Sequence, residues 1–177
     1  MKETPQCTGE TSERGELSWI MSIVSCFNKL NESDQEKYLQ LHNVFNNPQD
    51  LHPQKLNGQD ELKTMLINIF GGESAVKMLE ILNIFETNFF SDEEMDFLGI
   101  QTSRFNHSCF PNADWFGIPD RKEIEIRAMS SIKEGEEITI KYFEGYFSMT
   151  DQKSRQERLK MTQNFLCLCN FCKDGVM

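Results

Sequence analysis

The run Arg104-Phe105-Asn106-His107-Ser108-Cys109-Phe110-Pro111-Asn112, taken with the later run Phe165-Leu166-Cys167-Leu168-Cys169-Asn170-Phe171-Cys172, decides how this chain is read. Cys167, Cys169 and Cys172 form a tight C-x-C-x-x-C cluster. Three thiolates that close supply three corners of a tetrahedron, whereas a closed structural zinc site takes four sulfur or imidazole ligands. Cys109, 58 residues before Cys167, is the candidate for that distant partner. A metal on Cys109, Cys167, Cys169 and Cys172 would pin the chain's end onto the polar Asn-His-Ser segment and hold that segment rigid. With no open coordination position, it would be structural and would activate no water. Four buried or unpaired thiols are the alternative.

The 177 residues suffice for one domain with a core of ordinary size. An apolar share of 38% with 14 Phe favours a packed globule over a disordered chain. The 18 basic and 28 acidic residues leave a net charge of −10, which argues against direct nucleic-acid binding because phosphate contacts need a basic surface. A basic peptide would be attracted, although a merely solvated acidic surface gives the same count. No secretory signal opens the chain, and the longest apolar stretch, 19–27, is too short to span a bilayer. Six cysteines then point to reduced thiols and metal before disulfides, so the expected setting is intracellular, nucleus or cytoplasm, with no membrane partner.

The first half reads helical. Leu17, Ile20, Met21, Val24 and Phe27 recur at three- and four-residue steps and predict one apolar face. Ser33 and Asp34 can cap a second helix through Tyr38, Leu39 and Leu41. A loop over 46–57 follows, then a third helix from Asp60 that Gly71-Gly72 stops, then a fourth from Ser74 to about Phe85 with Val76, Leu79, Ile81 and Leu82 apolar. The second half alternates polar and apolar over 122–129 and 137–142, the two-residue period of half-buried strands, with an earlier strand over 113–116. Gly117-Ile118-Pro119-Asp120 and Glu134-Gly135 read as turns. The stretch 151–160 predicts a short charged helix whose Arg155 and Arg158 belong to a wet face. The opening stretch, 1–16, is polar with Pro5, Gly9 and Gly15 and reads as a loose lead-in that gives Cys7 no role, while Cys26 sits on a helical apolar face.

These residues match a known family. The run Arg104 to Asn112 resembles the R-F-x-N-H-S-C-x-P-N signature of SET-domain protein methyltransferases, with one residue fewer between Phe and Asn. Gly135-Glu136-Glu137-Ile138-Thr139-Ile140-Lys141-Tyr142 resembles their G-E-E-[LI]-T-x-x-Y segment, and Phe165 to Cys172 their post-SET F-x-C-x-C-x-x-C tail. Glu36 to Asn43 and Thr87-Asn88-Phe89-Phe90 are similar to the SMYD branch and its fungal relatives, in which a helical insert precedes the signature. The resemblance implies an α+β fold: short antiparallel SET-type strands, a helical insert in front and a zinc-bound post-SET tail. It divides the chain into the lead-in 1–16, the insert 17–98, the C-terminal SET core 99–148 and the post-SET region 149–177.

By the same resemblance, Asn106 and His107 contact S-adenosylmethionine and Phe165 covers its adenine. Tyr142 borders the methyl-transfer channel as the catalytic residue, and Phe90 lines the channel for the substrate lysine. Cys109, Cys167, Cys169 and Cys172 match the post-SET zinc site. The implied activity is S-adenosylmethionine-dependent lysine N-methylation of a histone or another protein with a basic, lysine-bearing segment. The alternative is a catalytically inactive SET-derived binding or scaffold domain. The family also carries an early Gly-x-Gly segment, and none of the ten glycines here is so paired, nor is there a cysteine cluster for a MYND module. The chain begins where the family's helical insert begins, as though the fold's front strands were absent, so the expectation is either a truncated form or a protein that has lost part of its cofactor site.

Overall fold

The computed structural model describes residues 1–3, 7–10, 16–46, 53–91, 95–121, 123–142 and 151–174, so parts of the expected lead-in and of the 46–57 loop lie outside the described residues. Helices come first: α1 (Glu16–Lys29), α2 (Glu32–Leu39), α3 (Pro53–Phe70) and α4 (Gly72–Asn88). Two strands, β1 (Lys2–Glu3) and β2 (Cys7–Glu10), precede them. Residues 2–3 and 7–10 of the expected loose lead-in are thus paired strands. Strands of two and four residues are too short to carry a readable alternation, and their pairing is settled by distant partners.

Those partners lie in the second half, with β3 (Phe90–Ser91), β4 (Met95–Leu98), β5 (Asn106–His107), β6 (Ala113–Ile118), β7 (Glu123–Ala128) and β8 (Thr139–Ile140). Among the described residues the strands form three small sheets, in the orders β1-β7-β6, β2-β4-β3 and β5-β8. The first two are antiparallel and β5 runs parallel to β8, with Asn106 opposite Thr139 and His107 opposite Ile140. The 122–129 alternation is seen in β7, where Ile124 and Ile126 face the core. The expected 113–116 strand continues through Gly117 and Ile118, so the turn falls at Pro119–Arg121 instead. The expected strand at 137–142 shrinks to Thr139–Ile140.

One core joins α1, α2, α3 and α4, with Ile20, Ile23, Phe27, Tyr38, Leu66, Ile81 and Phe85 almost wholly buried. The Tyr38 hydroxyl donates to the Ile81 carbonyl at 2.8 Å, which satisfies its one buried polar atom. The apolar face of α1 differs from the expected one: Ile23 is buried while Leu17 and Met21 are exposed. In α4 the buried apolar residues are Ala75, Met78, Ile81, Leu82, Ile84 and Phe85, and Val76 points outward. Asn31, not Ser33 or Asp34, caps α2 by accepting from the Asp34 N–H at 3.0 Å. Helix α3 begins at Pro53 rather than Asp60, and proline suits a first helical position because its missing N–H is not needed there.

A second core lies among the strands around Phe90, Phe97, Trp115, Ile124 and Ile140. A third, of Cys109, Leu159, Cys167 and Cys172, lies under α5 (Gln152–Gln163) and α6 (Asn170–Asp174). Helix α5 is charged, as expected, but Arg155 is not on a wet face. It is buried, with its guanidinium 4.5 Å from the centre of the Phe171 ring, a cation–π contact on the tail.

Candidate active site and metal centre

The segment that launches the site is held by a residue from the far end of the chain. Glu3 is buried, and its carboxylate accepts the backbone N–H groups of Gln101 at 3.0 Å and Thr102 at 2.8 Å. That caps the 3₁₀ turn Thr102–Arg104, from which the chain enters β5. Asn106 then faces solvent and donates through Nδ2 to Glu137 Oε1 at 2.6 Å, and Asn112 bonds Glu136, the Glu137 carbonyl and the Thr139 N–H. The 104–112 and 135–142 segments are thus stitched together by asparagine amides, which can donate and accept at once.

His107 is buried, and burial takes its pKa down to about 4, so the ring is neutral. Its Nδ1 accepts the Tyr142 backbone N–H at 3.2 Å, and its Nε2 faces Cys109 Sγ at 3.5 Å. The Tyr142 hydroxyl donates to the Phe105 carbonyl at 2.9 Å. Burial first, then the charge of Glu137, pushes the phenol pKa up, so it keeps its proton at neutral pH. With that proton committed to Phe105, the hydroxyl oxygen is free to accept.

The four expected metal ligands converge. The Sγ atoms of Cys109, Cys167, Cys169 and Cys172 all lie within 4.8 Å of one another, and Cys109 and Cys172 approach to 3.2 Å. Four sulfurs at about 2.3 Å from a tetrahedral zinc stand roughly 3.8 Å apart, so the cluster brackets the dimension that ion needs. Burial pushes Cys167 up to about 11 and raises Cys172 as well. At Cys169 burial also pulls upward, but the Cys172 and Cys109 backbone N–H groups and neighbouring side chains outweigh it and bring the thiol down to about 7. Helix α5 holds the tail through two side chains that sequence reasoning did not single out. Gln156 both accepts from the Cys167 N–H and donates to its carbonyl, each at 2.8 Å, and Gln152 donates to the Cys172 carbonyl at 2.6 Å.

A cleft of about 940 Å³ opens between these parts. Phe90, Asn106, His107, Tyr142 and Phe165 all line it, together with Cys167 and Cys169 of the sulfur cluster. Phe165 is half-buried, its ring centre 6.1 Å from His107 and 6.2 Å from Tyr142. Phe90 packs edge-on against Trp115 at 5.2 Å, so it serves the strand core as well as the cleft. Further lining residues were not foreseen: Gln40 to His42 beyond α2, Phe89, and Glu137. Each lies in a stretch that resembles the family, Gln40 to His42 in 36–43, Phe89 in 87–90 and Glu137 in the G-E-E run, but none of these stretches gave it a role.

The chain belongs to the SET domain family: residues 4–143 match that family's model. It resembles a SET and MYND domain-containing protein of Dictyostelium discoideum, 34% identical over 41% of this chain and 13% of that protein. It also resembles the histone-lysine N-methyltransferase ASHR2 of Arabidopsis thaliana, 37% identical over 41% of this chain and 19% of the relative. Histone-lysine N-methyltransferase SET5 of Saccharomyces cerevisiae is 28% identical over 55% of this chain and 17% of its own length. The chain therefore spans less than a fifth of the length of these curated relatives. Among the described residues no helix is long and apolar enough to cross a membrane.

Proposed function

We propose that this chain is a protein-lysine N-methyltransferase that uses S-adenosylmethionine and acts on a histone or another protein with a basic, lysine-bearing segment. The observation that carries the reading is the single cleft shared by Asn106, His107, Tyr142, Phe165 and Phe90, residues scattered over 76 positions of sequence (165 − 90 + 1). The cleft's size suits a nucleoside-sized cofactor with a lysine side chain beside it, and its walls mix aromatic rings with a few polar groups, as small-molecule sites do. In this reading the described residues of the insert 17–98 supply one wall, those of the core 99–148 the floor and those of 149–177 the roof, while Glu3 of the lead-in 1–16 braces the floor.

When bound, the cofactor supplies a methyl group on a positively charged sulfur. Asn106, His107 and the β5 backbone would hold its amino-acid and adenine ends, and Phe165 would cover the adenine. Phe90 walls the route for the lysine stem. Tyr142 offers its hydroxyl oxygen to the substrate nitrogen, orienting the lone pair for an in-line displacement. Orientation of this kind is the main benefit a protein can give such a transfer. A phenol held protonated accepts without adding charge to the site. Zinc on Cys109, Cys167, Cys169 and Cys172 would fix the roof and take no part in the chemistry. The reduced thiols it requires go with a setting in the nucleus or cytoplasm.

Titration calorimetry of the zinc-loaded chain with S-adenosylmethionine tests the proposal, followed by methyl transfer to a histone mixture. Binding and labelling are expected. A folded, zinc-loaded sample that gives neither heat nor labelled protein would refute the enzyme and leave the inactive binding domain.

A further inference from the structure

We propose that His107 donates its imidazole Nε2–H to the Cys109 sulfur and so holds that sulfur in place as a metal ligand. The same ring would then fix the Tyr142 backbone, making His107 a positioning residue between metal and cleft. The inference rests on the reading of the four thiols as a zinc site.

The tautomer follows from geometry. A backbone amide nitrogen can only donate, and Tyr142 N stands 3.2 Å from His107 Nδ1, so Nδ1 must present a lone pair. A neutral imidazole has one N–H, which therefore sits on Nε2. Nε2 faces Cys109 Sγ at 3.5 Å, within reach of a large sulfur acceptor. A doubly protonated ring would aim one N–H at another, and a ring protonated on Nδ1 alone would lose both contacts. The ring is buried, its centre 5.3 Å from that of Tyr142 and 6.1 Å from that of Phe165, which restricts its orientation.

There is a chemical reason for such a donor. Four thiolates around a divalent ion leave a net charge of about −2 in a largely buried place, and N–H donors to sulfur offset that charge. Cys109 needs it most, because it is the one ligand outside the C-x-C-x-x-C loop and cannot rely on the turn that gathers the other three. The consequence reaches the cleft. Imidazole, Tyr142 N–H and Tyr142 hydroxyl to Phe105 carbonyl form one connected path from the sulfur to the residue assigned to the substrate nitrogen.

The test uses cobalt(II) in place of zinc on the whole chain, read by the sulfur-to-cobalt charge-transfer absorption in competition with a chelator. His107→Phe keeps the ring's bulk and removes both nitrogens. It is expected to weaken cobalt binding roughly 10- to 100-fold, the usual effect of losing a ligand's hydrogen-bond partner. His107→Gln, which restores a side-chain N–H, should recover part of that loss. Equal affinity in wild type and His107→Phe overturns the inference and leaves the metal site standing. Failure of the wild-type chain to bind cobalt at all removes the metal reading and this inference with it. Because His107→Phe can fail to fold, nitrogen-15 NMR of the histidine side chains in the zinc-loaded wild type gives a second measurement. The proton is expected on Nε2, and a proton on Nδ1 refutes the assignment.

Discussion

Replacing Gly99 with alanine adds one methyl group, and at an unstrained, open position that change stabilises a protein by about 0.4–1 kcal/mol. Here the opposite is expected. The new Cβ would stand 2.6 Å from Glu3 Oε2 and 3.0 Å from Glu3 Cδ, and would also collide with Thr102 Oγ1. None of these atoms can swing aside at little cost. Glu3 Oε1 and Oε2 each accept a backbone N–H, from Gln101 and Thr102, and Thr102 is wholly buried with its hydroxyl on the Gly99 carbonyl at 3.1 Å. Expelling the carboxylate would strand two N–H groups, one of them fully buried, at about 1–3 kcal/mol each. Gly99→Ala should therefore destabilise the chain by about 3 kcal/mol, a shift of roughly 1–3 M in the urea midpoint. A double-mutant cycle identifies the cause. In a Glu3→Ala background the carboxylate is already gone, so the cost of Gly99→Ala should fall by about 1–2 kcal/mol. Equal costs in the two backgrounds, or a neutral Gly99→Ala, would show that the Glu3 carboxylate does not brace the turn that leads into β5.

Three further outcomes are expected. Tyr142→Phe removes the hydroxyl bonded to Phe105; methyl transfer should fall about 100-fold or more while S-adenosylmethionine affinity, read by calorimetry, stays nearly the same. Loss of cofactor binding instead would assign Tyr142 a structural role. Cys109→Ser should lower bound zinc, measured by mass spectrometry of the metal, and make the tail protease-sensitive, whereas an unchanged one-to-one ratio would rule out the four-cysteine site. Tyr38→Phe removes a buried hydrogen bond to the Ile81 carbonyl, which lies inside α4 and keeps its helical partner, so urea unfolding should show a loss of about 0.5–1.5 kcal/mol with the cofactor site unaffected.

Local order was legible wherever it repeats along the chain. The three-and-four spacing of Ile20, Val24 and Phe27 marks a helix, and the alternation through Ile124 and Ile126 marks a strand, because each period is imposed by backbone geometry alone. The sulfur cluster was legible for a related reason: three cysteines within six residues have few packings, and the metal they imply requires a fourth. Periodicity could not say which side of α1 turns inward, since that depends on where α4 lies, and it left Ile23 out and took Met21 in. Nor could any local pattern place β1 against β7 or Glu3 under Thr102, contacts that span 99 positions or more. The amino-acid order by itself determined which residues have the chemistry for this site. Tertiary structure alone decided what holds them, namely Glu3, Gln152 and Gln156, because a hydrogen bond between remote segments leaves no trace in spacing and exists only once the chain has closed on itself.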